Sequence, residues 1–441
     1  MKKRRQVYLV GIGMGGPQSL TAEAEDILQK CDCIIGAERM LEAAGRFEKT
    51  KYACYDSQQI RFWLGEHPEY ETAAVVLSGD PGFYSGAKKL ETELQREAEY
   101  EVHIIPGISS VVYLAARLHT SWEDAKLVSA HGRVQNYIQT IAYTKKTFLL
   151  TGGRKTAEEI CQRVREYGLA DVEFFIGQRL SYPDEKIVVR RGSELVPEDL
   201  DGLCTVMVDN PCPLQWKYRS IPDEEWIRGN VPVTKAEVRE VSLGKLGLTE
   251  DAVLYDIGAG TGSVAVEAAL RSEKIRVYAI EKNPEGIALI GQNRRKFCTD
   301  LVIPVKGTAP EALEHLEAPT HVFIGGSGGH LTEILRCVRE KNPHVRIVIN
   351  ALTLETVGKV TEAMEEGLLD QPEIIQISVA KARLLGKYHL MTGQNPVYIV
   401  TDAGNRINEN KMTNERSMTD EQSMTDEGSM DKGEKLCGFQ E

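Results

Sequence analysis

The chain alternates short β-prone apolar runs with stretches of helical spacing, and it does so in two separate series. From Val7 to about Asn210 the runs VYLVGIG, CDCIIGA, AAVVLSGD, EVHIIPG, KLVSAHG, KTFLLTGG, VEFFIGQ and LCTVMVD each end on turn residues. Segments between them, such as AEAEDILQKC and GAKKLETELQREA, carry the helical period. From Val233 the alternation restarts with AVLYDIGAG, RVYAIEKN, LVIPVKG, THVFIGGSG, RIVINAL, EIIQISVA and PVYIVTD, preceded by a helix over PVTKAEVREVSLGKLGL. A β-then-α order repeated this often predicts an α/β fold with mainly parallel sheets covered by helices. Between the series, NPCPLQWKYRSIPDEEWIRGNVP is rich in proline, charge and tryptophan and reads as a connector. The expected boundaries are a first domain over 1–212, a linker over 213–232 and a second domain over 233–402. Beyond Asp402, SMTDEQSMTDEGSMDKGEK repeats a six-residue unit of methionine, threonine and acids. Its apolar surface is too small to offset ordering entropy, so 403–441 is expected to be a disordered acidic tail.

Charge and composition narrow the function classes. A formal charge of −12 over 441 residues argues against nucleic acid as a partner, because phosphate contacts need a basic surface. No apolar run approaches the roughly 18–20 residues of a membrane helix, so no membrane partner is expected. The basic start MKKRR is followed by a short, glycine-broken apolar stretch, which is unlike a signal peptide. Nine cysteines without a metal or redox spacing read as reduced thiols, which places the chain in the cytoplasm and predicts no metal site.

The segment Asp256-Ile-Gly258-Ala259-Gly260-Thr261-Gly262 ends one predicted strand and opens a helix. Its glycines permit positive φ and close backbone approach, and the helix aims free N–H groups at the crevice. The next predicted strand ends on Glu281, a carboxylate able to accept both hydroxyl protons of a ribose. Three readings are open: a turn without ligand, a dinucleotide site, and an S-adenosylmethionine site. Ser263 stands where the third glycine or alanine of a dinucleotide fingerprint belongs. Asp256, just before the turn, suits a cationic amine and sulfonium better than a pyrophosphate.

PVTKAEVR from Pro232, the DIGAGTGS loop, AIEKNPEG, GTAPEAL and FIGGSGG together resemble the decarboxylating methyltransferases of corrin biosynthesis that modify carbon 15. The likeness spans Ile221 to Asp402 and implies a Rossmann-like class I methyltransferase domain. It further implies that Thr234, Gly258 to Gly262, Glu281 and Ala309 line an S-adenosylmethionine pocket, with Thr308 facing the adenine where many relatives carry an acid.

The first glycine loop, VGIGMGGPQSL, departs from dinucleotide spacing, and no acid closes the following strand. With SGDPGFYSGAKKL, PGISSVVYLAARL, VSAHGR and IGQRLSYPDEKI it resembles the tetrapyrrole methylase family, and most closely its carbon-5 methylating members. That likeness implies two α/β subdomains with a cleft for a second S-adenosylmethionine. It places Gly79, Asp80, Ser109 and Ser110 at the cofactor, and Pro17 and His131 at the substrate.

Taken together, the resemblance implies a fusion enzyme of cobalamin biosynthesis that binds two S-adenosylmethionine molecules per chain. It would methylate a precorrin or cobalt-precorrin tetrapyrrole at carbons 5 and 15 and decarboxylate the ring C acetate, and a homo-oligomer is expected. A cofactor-sensing regulator and a nicotinamide oxidoreductase are the alternatives. The substrate is polyanionic, so local anion sites are expected at Gly325, Gly326, Ser327, Gly328 and Gly329, with Lys235, Arg239, Lys381 and Arg383 as charge partners. His131 and Asn350 are the candidates for proton handling at a site whose work is otherwise positioning.

Overall fold

Val7 and Leu9 point to one face of the first strand and Val10 and Ile12 to the other, and all four are buried. Burial on both faces is what a parallel sheet sandwiched by helices requires. In the computed structural model, which describes residues 4–130, 137–215 and 220–404, the chain divides into two units, 1–217 and 218–441. The tail beyond 404 and His131 lie outside the described residues.

In the first unit, β1 (Arg5–Gly11), β2 (Cys33–Gly36), β3 (Thr50–Ala53), β4 (Thr72–Leu77) and β5 (Tyr100–Ile105) form a sheet in the order β3-β2-β4-β1-β5. Every pairing is parallel, with Val7 opposite Ala73 and Val102. A second sheet has β6 (Lys126–Ser129), β7 (Lys146–Leu150), β8 (Glu173–Gln178), β9 (Lys186–Arg191) and β10 (Cys204–Asp209) in the order β6-β7-β10-β8-β9. Here the expectation of mainly parallel pairing fails: only β6 and β7 run parallel, while β10 is antiparallel to β7 and β8, and β8 to β9. The connection from Gln178 to Lys186 is too short for a parallel crossover, which needs a dozen residues or more.

The second unit carries β11 (Val253–Ile257), β12 (Arg276–Glu281), β13 (Val302–Lys306), β14 (His321–Ile324), β15 (Arg346–Ala351) and β16 (Glu373–Ile377), then β17 (Ala380–Leu385), β18 (Tyr388–Gly393) and β19 (Val397–Asp402). Seven strands form one sheet, β13-β12-β11-β14-β15-β19-β16, with β19 antiparallel to both neighbours and the first five parallel. The chain winds outward from β11 to β13 and then returns to the other side at β14. Beyond the carboxyl ends of β11 and β14 lies the crevice where such sheets take ligands. β17 and β18 pair apart from this sheet.

Residues expected to belong to the linker pack into the second unit's core: Ile221 and Trp226 are buried there, and the Trp226 and Phe297 rings lie 4.9 Å apart. Of the eight described cysteines, six are buried, while Cys212 is exposed and Cys337 half-buried; all eight are unbridged. Burial pushes the Cys31 and Cys33 thiols up to about 11 and about 12, which leaves them protonated and unreactive at neutral pH. Among the described residues no helix is long and apolar enough to cross a membrane, and no cluster of His, Cys, Asp or Glu is placed to hold a metal ion.

Candidate active site

β11 delivers the chain into a loop in which Gly258, Gly260 and Gly262 all have positive φ, at 72°, 58° and 78°. Sequence and packing agree on why glycine is needed. A Cβ on Gly258 would stand 2.6 Å from the Gly326 carbonyl oxygen, and one on Gly260 2.8 Å from that of Pro232. The loop therefore packs backbone to backbone against the turn after β14 and against the segment before the first helix of the unit.

These turns enclose a cavity of about 390 Å³. Its lining comes from Ile257, Gly258 and Gly260, from Ile280 to Asn283 at the end of β12, and from Gly307, Thr308 and Ala309 after β13. Gly325 to Gly328 after β14 and the pair Val231-Pro232 complete it. Glu281 is 9% exposed, and its two carboxylate oxygens accept hydrogen bonds from the Gly260 and Asn283 backbone N–H groups, both at 2.8 Å. A carboxylate has about four acceptor positions, so two remain for a vicinal diol. An acceptor at this place, glycine backbone beside it and room of this size suit the nucleoside of S-adenosylmethionine. A Cβ on Gly326 would meet nothing within 4 Å, so that turn opens onto free space.

The structure thus brings together Gly258, Gly260, Glu281, Thr308, Ala309, Gly325, Gly326, Ser327 and Gly328. Other expected residues stand elsewhere. Asp256 is fully buried beneath the loop, where one oxygen accepts from the Ala265 N–H at 3.0 Å and the other has no partner. Burial raises its pKa from 3.8 to about 7. It supports the loop from behind and does not line the cavity. Ala259 donates its N–H to the Ile280 carbonyl at 3.0 Å, Thr261 is buried, and Gly262 caps the following helix. All three shape the loop without lining the cavity.

The expected charge partners are corrected more sharply. Arg239 is 0% exposed and bonded to Glu267, Asp223 and the carbonyls of Thr234 and Ile221, so it cannot reach a substrate carboxylate. Lys381 pairs with Glu237 at 2.7 Å, and Arg383 lies exposed on β17. Lys235 and Thr234 precede the helix Ala236–Leu246 outside the cavity lining. Asn350 is buried on β15, where its Oδ1 accepts from the Ser242 hydroxyl at 3.1 Å. Packing consumes Arg239 and Asn350, an ion pair holds Lys381, and Lys235 and Arg383 stand outside the cavity lining, placements that no residue spacing announces.

In the first unit, the turns after β1, β4 and β5 converge. Gly13 and Gly79 exchange backbone hydrogen bonds of 3.3 and 2.7 Å, and Asp80 accepts from the Gly82 and Gly107 N–H groups at 2.8 and 3.1 Å. A second cavity of about 410 Å³ opens here. Gly79 and Ser110 line it, with Met14, Arg39, Ser78, Phe83 and Tyr84 on the same side. Thr151 to Gly153 and Gly202 to Thr205 face them from the second sheet. Asp80 and Ser109 stay outside the lining: Asp80 ties loops together, and Ser109 is the buried residue before the helix Ser110–Arg117. Pro17 is exposed at the start of a short helical turn, away from the cavity lining. Arg39, which the sequence did not single out, donates to the Tyr182 hydroxyl at 3.1 Å and to the Ser78 hydroxyl at 3.2 Å.

Comparison with known proteins covers both units. Residues 225–402 match the family described as precorrin methyltransferase domain, and residues 6–196 that of tetrapyrrole (corrin/porphyrin) methylases. The chain is 44% identical over 193 residues to a probable cobalt-precorrin-6B C(15)-methyltransferase (decarboxylating) of Pyrobaculum calidifontis, across 43% of this chain and 98% of that protein. It is 27% identical over 417 residues to the precorrin-6Y C(5,15)-methyltransferase [decarboxylating] of a Sinorhizobium species, across 89% of this chain and 94% of that one. A solved precorrin-6y C5,15-methyltransferase structure from Geobacter metallireducens is 41% identical, covering 41% of this chain and 96% of its own, with a TM-score of 0.39.

Proposed function

The chain belongs to the decarboxylating precorrin methyltransferase family, and on that premise we propose that it methylates a precorrin-type tetrapyrrole at carbons 5 and 15 and decarboxylates the ring C acetate, whose carboxyl group leaves as carbon dioxide while a methyl group stays on the ring. The observation that carries the reading is likeness to a two-site relative along 89% of the chain, with one glycine-lined cavity in each unit. The same likeness favours an enzyme over a cofactor sensor or a nicotinamide oxidoreductase.

S-adenosylmethionine supplies an electrophilic methyl group. In the second unit Glu281 would hold its ribose, Thr308 and Ala309 its base, and the Gly258–Gly260 backbone its amino-acid end. In the first, Gly79 and Ser110 would border it. The tetrapyrrole carbon is itself the nucleophile and the macrocycle the electron sink for decarboxylation, so neither cavity needs an acid–base pair. The task of the protein is alignment and exclusion of water, which can lower the barrier by about 7–11 kcal/mol. Gly325 and Gly326 donate their N–H groups to the Ile257 carbonyl at 2.9 and 3.3 Å, so a substrate carboxylate at this turn would be met by the backbone of Ser327 and Gly328 beyond them.

Supporting a homo-oligomer, the hairpin of β17 and β18 is exposed throughout and carries Leu384, Leu385, Tyr388, Leu390 and Met391. An apolar ribbon of this kind fits a second copy of the chain. Light scattering of Leu384→Ser/Leu390→Ser tests it, with dissociation to monomer expected.

Mass spectrometry of the product decides the activity. Two added methyl groups and one lost carbon dioxide are expected, and a single methylation would refute the two-site reading. Calorimetry should find two S-adenosylmethionine equivalents per chain. Gly326→Asp, which meets no steric obstacle, should weaken the tetrapyrrole and leave cofactor affinity intact.

A further inference from the structure

The segment from Ile221 to Lys235 crosses the second unit and places Val231 and Pro232 in the cavity lining. It has no helix or strand beyond one short turn at Asp223–Glu225, so something other than backbone periodicity must hold it. Arg239 does so at both ends. Its guanidinium donates to the Ile221 carbonyl at the start of the strap and to the Thr234 carbonyl at its finish. Its Nε donates to Glu267 at 2.8 Å, and the same Glu267 oxygen accepts the Ile221 N–H at 2.7 Å. Asp223, 3.5 Å from the guanidinium, accepts the Ala236 N–H at 3.0 Å. The Trp226 ring, 5.1 Å from the guanidinium carbon, packs within the same fold of chain.

The middle of the strap has its own ties. Asn293 accepts the Ile227 N–H at 2.9 Å and donates to the carbonyls of Ile227 and Thr261, at 3.1 and 2.9 Å, so it links strap to glycine loop. Glu285 accepts the Asn230 N–H at 2.8 Å. These contacts set the strap's height over the cavity, while Arg239 sets where it begins and ends.

Resting on the reading of this cavity as a cofactor site, we propose that Arg239 is a positioning residue for the carbon-15 reaction, clamping both ends of the 221–235 strap so that Val231 and Pro232 wall the cavity. A guanidinium offers five donors in a fixed planar fork and here serves two carbonyls and two carboxylates, four acceptors against the three donors of a lysine ammonium. The clamp keeps the strap in the binding-competent arrangement, and loosening it lowers apparent affinity by the fraction of time the strap is in place.

The test uses the full chain. Arg239→Met would strand the Glu267 carboxylate in the core, so the informative variant is Arg239→Met/Glu267→Gln, whose amide oxygen still accepts the Ile221 N–H; Arg239→Lys is the conservative partner. Hydrogen exchange of 227–234 should quicken by about tenfold or more in the double variant, while β11 and β12 keep their protection. S-adenosylmethionine should bind about tenfold more weakly at one of its two sites, with Arg239→Lys intermediate. The KM for the cofactor in the carbon-15 step should rise while kcat at saturation changes by less than about twofold. Unchanged exchange in the strap, exchange that rises equally throughout the unit, or unchanged affinity would overturn the proposal. A wild-type chain that binds no S-adenosylmethionine would instead refute the assignment of the cavity, and the exchange comparison would still decide the clamp.

Discussion

The two cavities are nearly equal in size, about 390 and about 410 Å³, yet they are built by different means. In the second unit side-chain carboxylates hold the loops: Glu281 fixes Gly260 and Asn283, and Asp256 braces the helix behind them. In the first unit one carboxylate, Asp80, ties the Gly82 and Gly107 backbone, and close approach of the turns to one another does the rest. Gly13 and Gly79 bond to one another, and a Cβ on Gly11 would stand 2.7 Å from Gly107 N, Gly79 O and Pro81 Cδ. The difference teaches that a glycine-rich turn can be fixed by one buried acid or by mutual close approach of several turns. The first arrangement is sensitive to charge and pH, and the second to volume.

Four substitutions would break or sharpen that contrast. Glu281→Ala should act most strongly, since two N–H groups lose charge-assisted partners at a combined cost of about 3–6 kcal/mol. Calorimetry should then count one S-adenosylmethionine per chain, and retention of both would dissolve the distinction. Next comes Asp256. Because its folded pKa is raised from 3.8 to about 7, its contribution to stability is complete below the unfolded value and is lost as pH rises through the folded one. The stability of the second unit should fall from about pH 4 to pH 7 by at most roughly 4 kcal/mol, and Asp256→Asn should flatten that slope. The first unit should show no such slope.

Gly11→Ala should cost the first unit about 1–3 kcal/mol through overpacking, read as a lower thermal midpoint with carbon-5 methylation impaired and the carbon-15 step preserved. The smallest effect is expected from Thr308→Val, which removes one hydroxyl from the second cavity. A loss of about 0.5–1.5 kcal/mol in cofactor affinity is anticipated.

Legibility in the sequence followed the same divide. The second unit's site was readable because one strand, three glycines and an acid at the next strand's end are local features that each imply a backbone placement. Gly258, Gly260 and Glu281 accordingly line one cavity, together with Thr308 and Ala309, which only the family resemblance had implied. The first unit's site draws Thr151 to Gly153 and Gly202 to Thr205 from a second sheet, and only tertiary folding sets these beside Gly79 and Ser110. Among strands, β3, β9, β17 and β18 escaped notice, and none of the four carries the run of buried apolar residues that marks a central strand.

By itself the chain's pattern of apolar runs determined the α/β class, the two series of strands and the glycine turns, because period and turn chemistry are short-range properties. Tertiary structure alone decided the fate of the charges. Arg239, chosen as a ligand for carboxylates, is buried among Glu267, Asp223 and two carbonyls, and Asp256, expected to meet the cofactor's cationic groups, lies beneath the glycine loop. A charged side chain takes its role from whichever partners surround it in three dimensions, and those partners come from 16 residues away at Asp223 and 28 at Glu267.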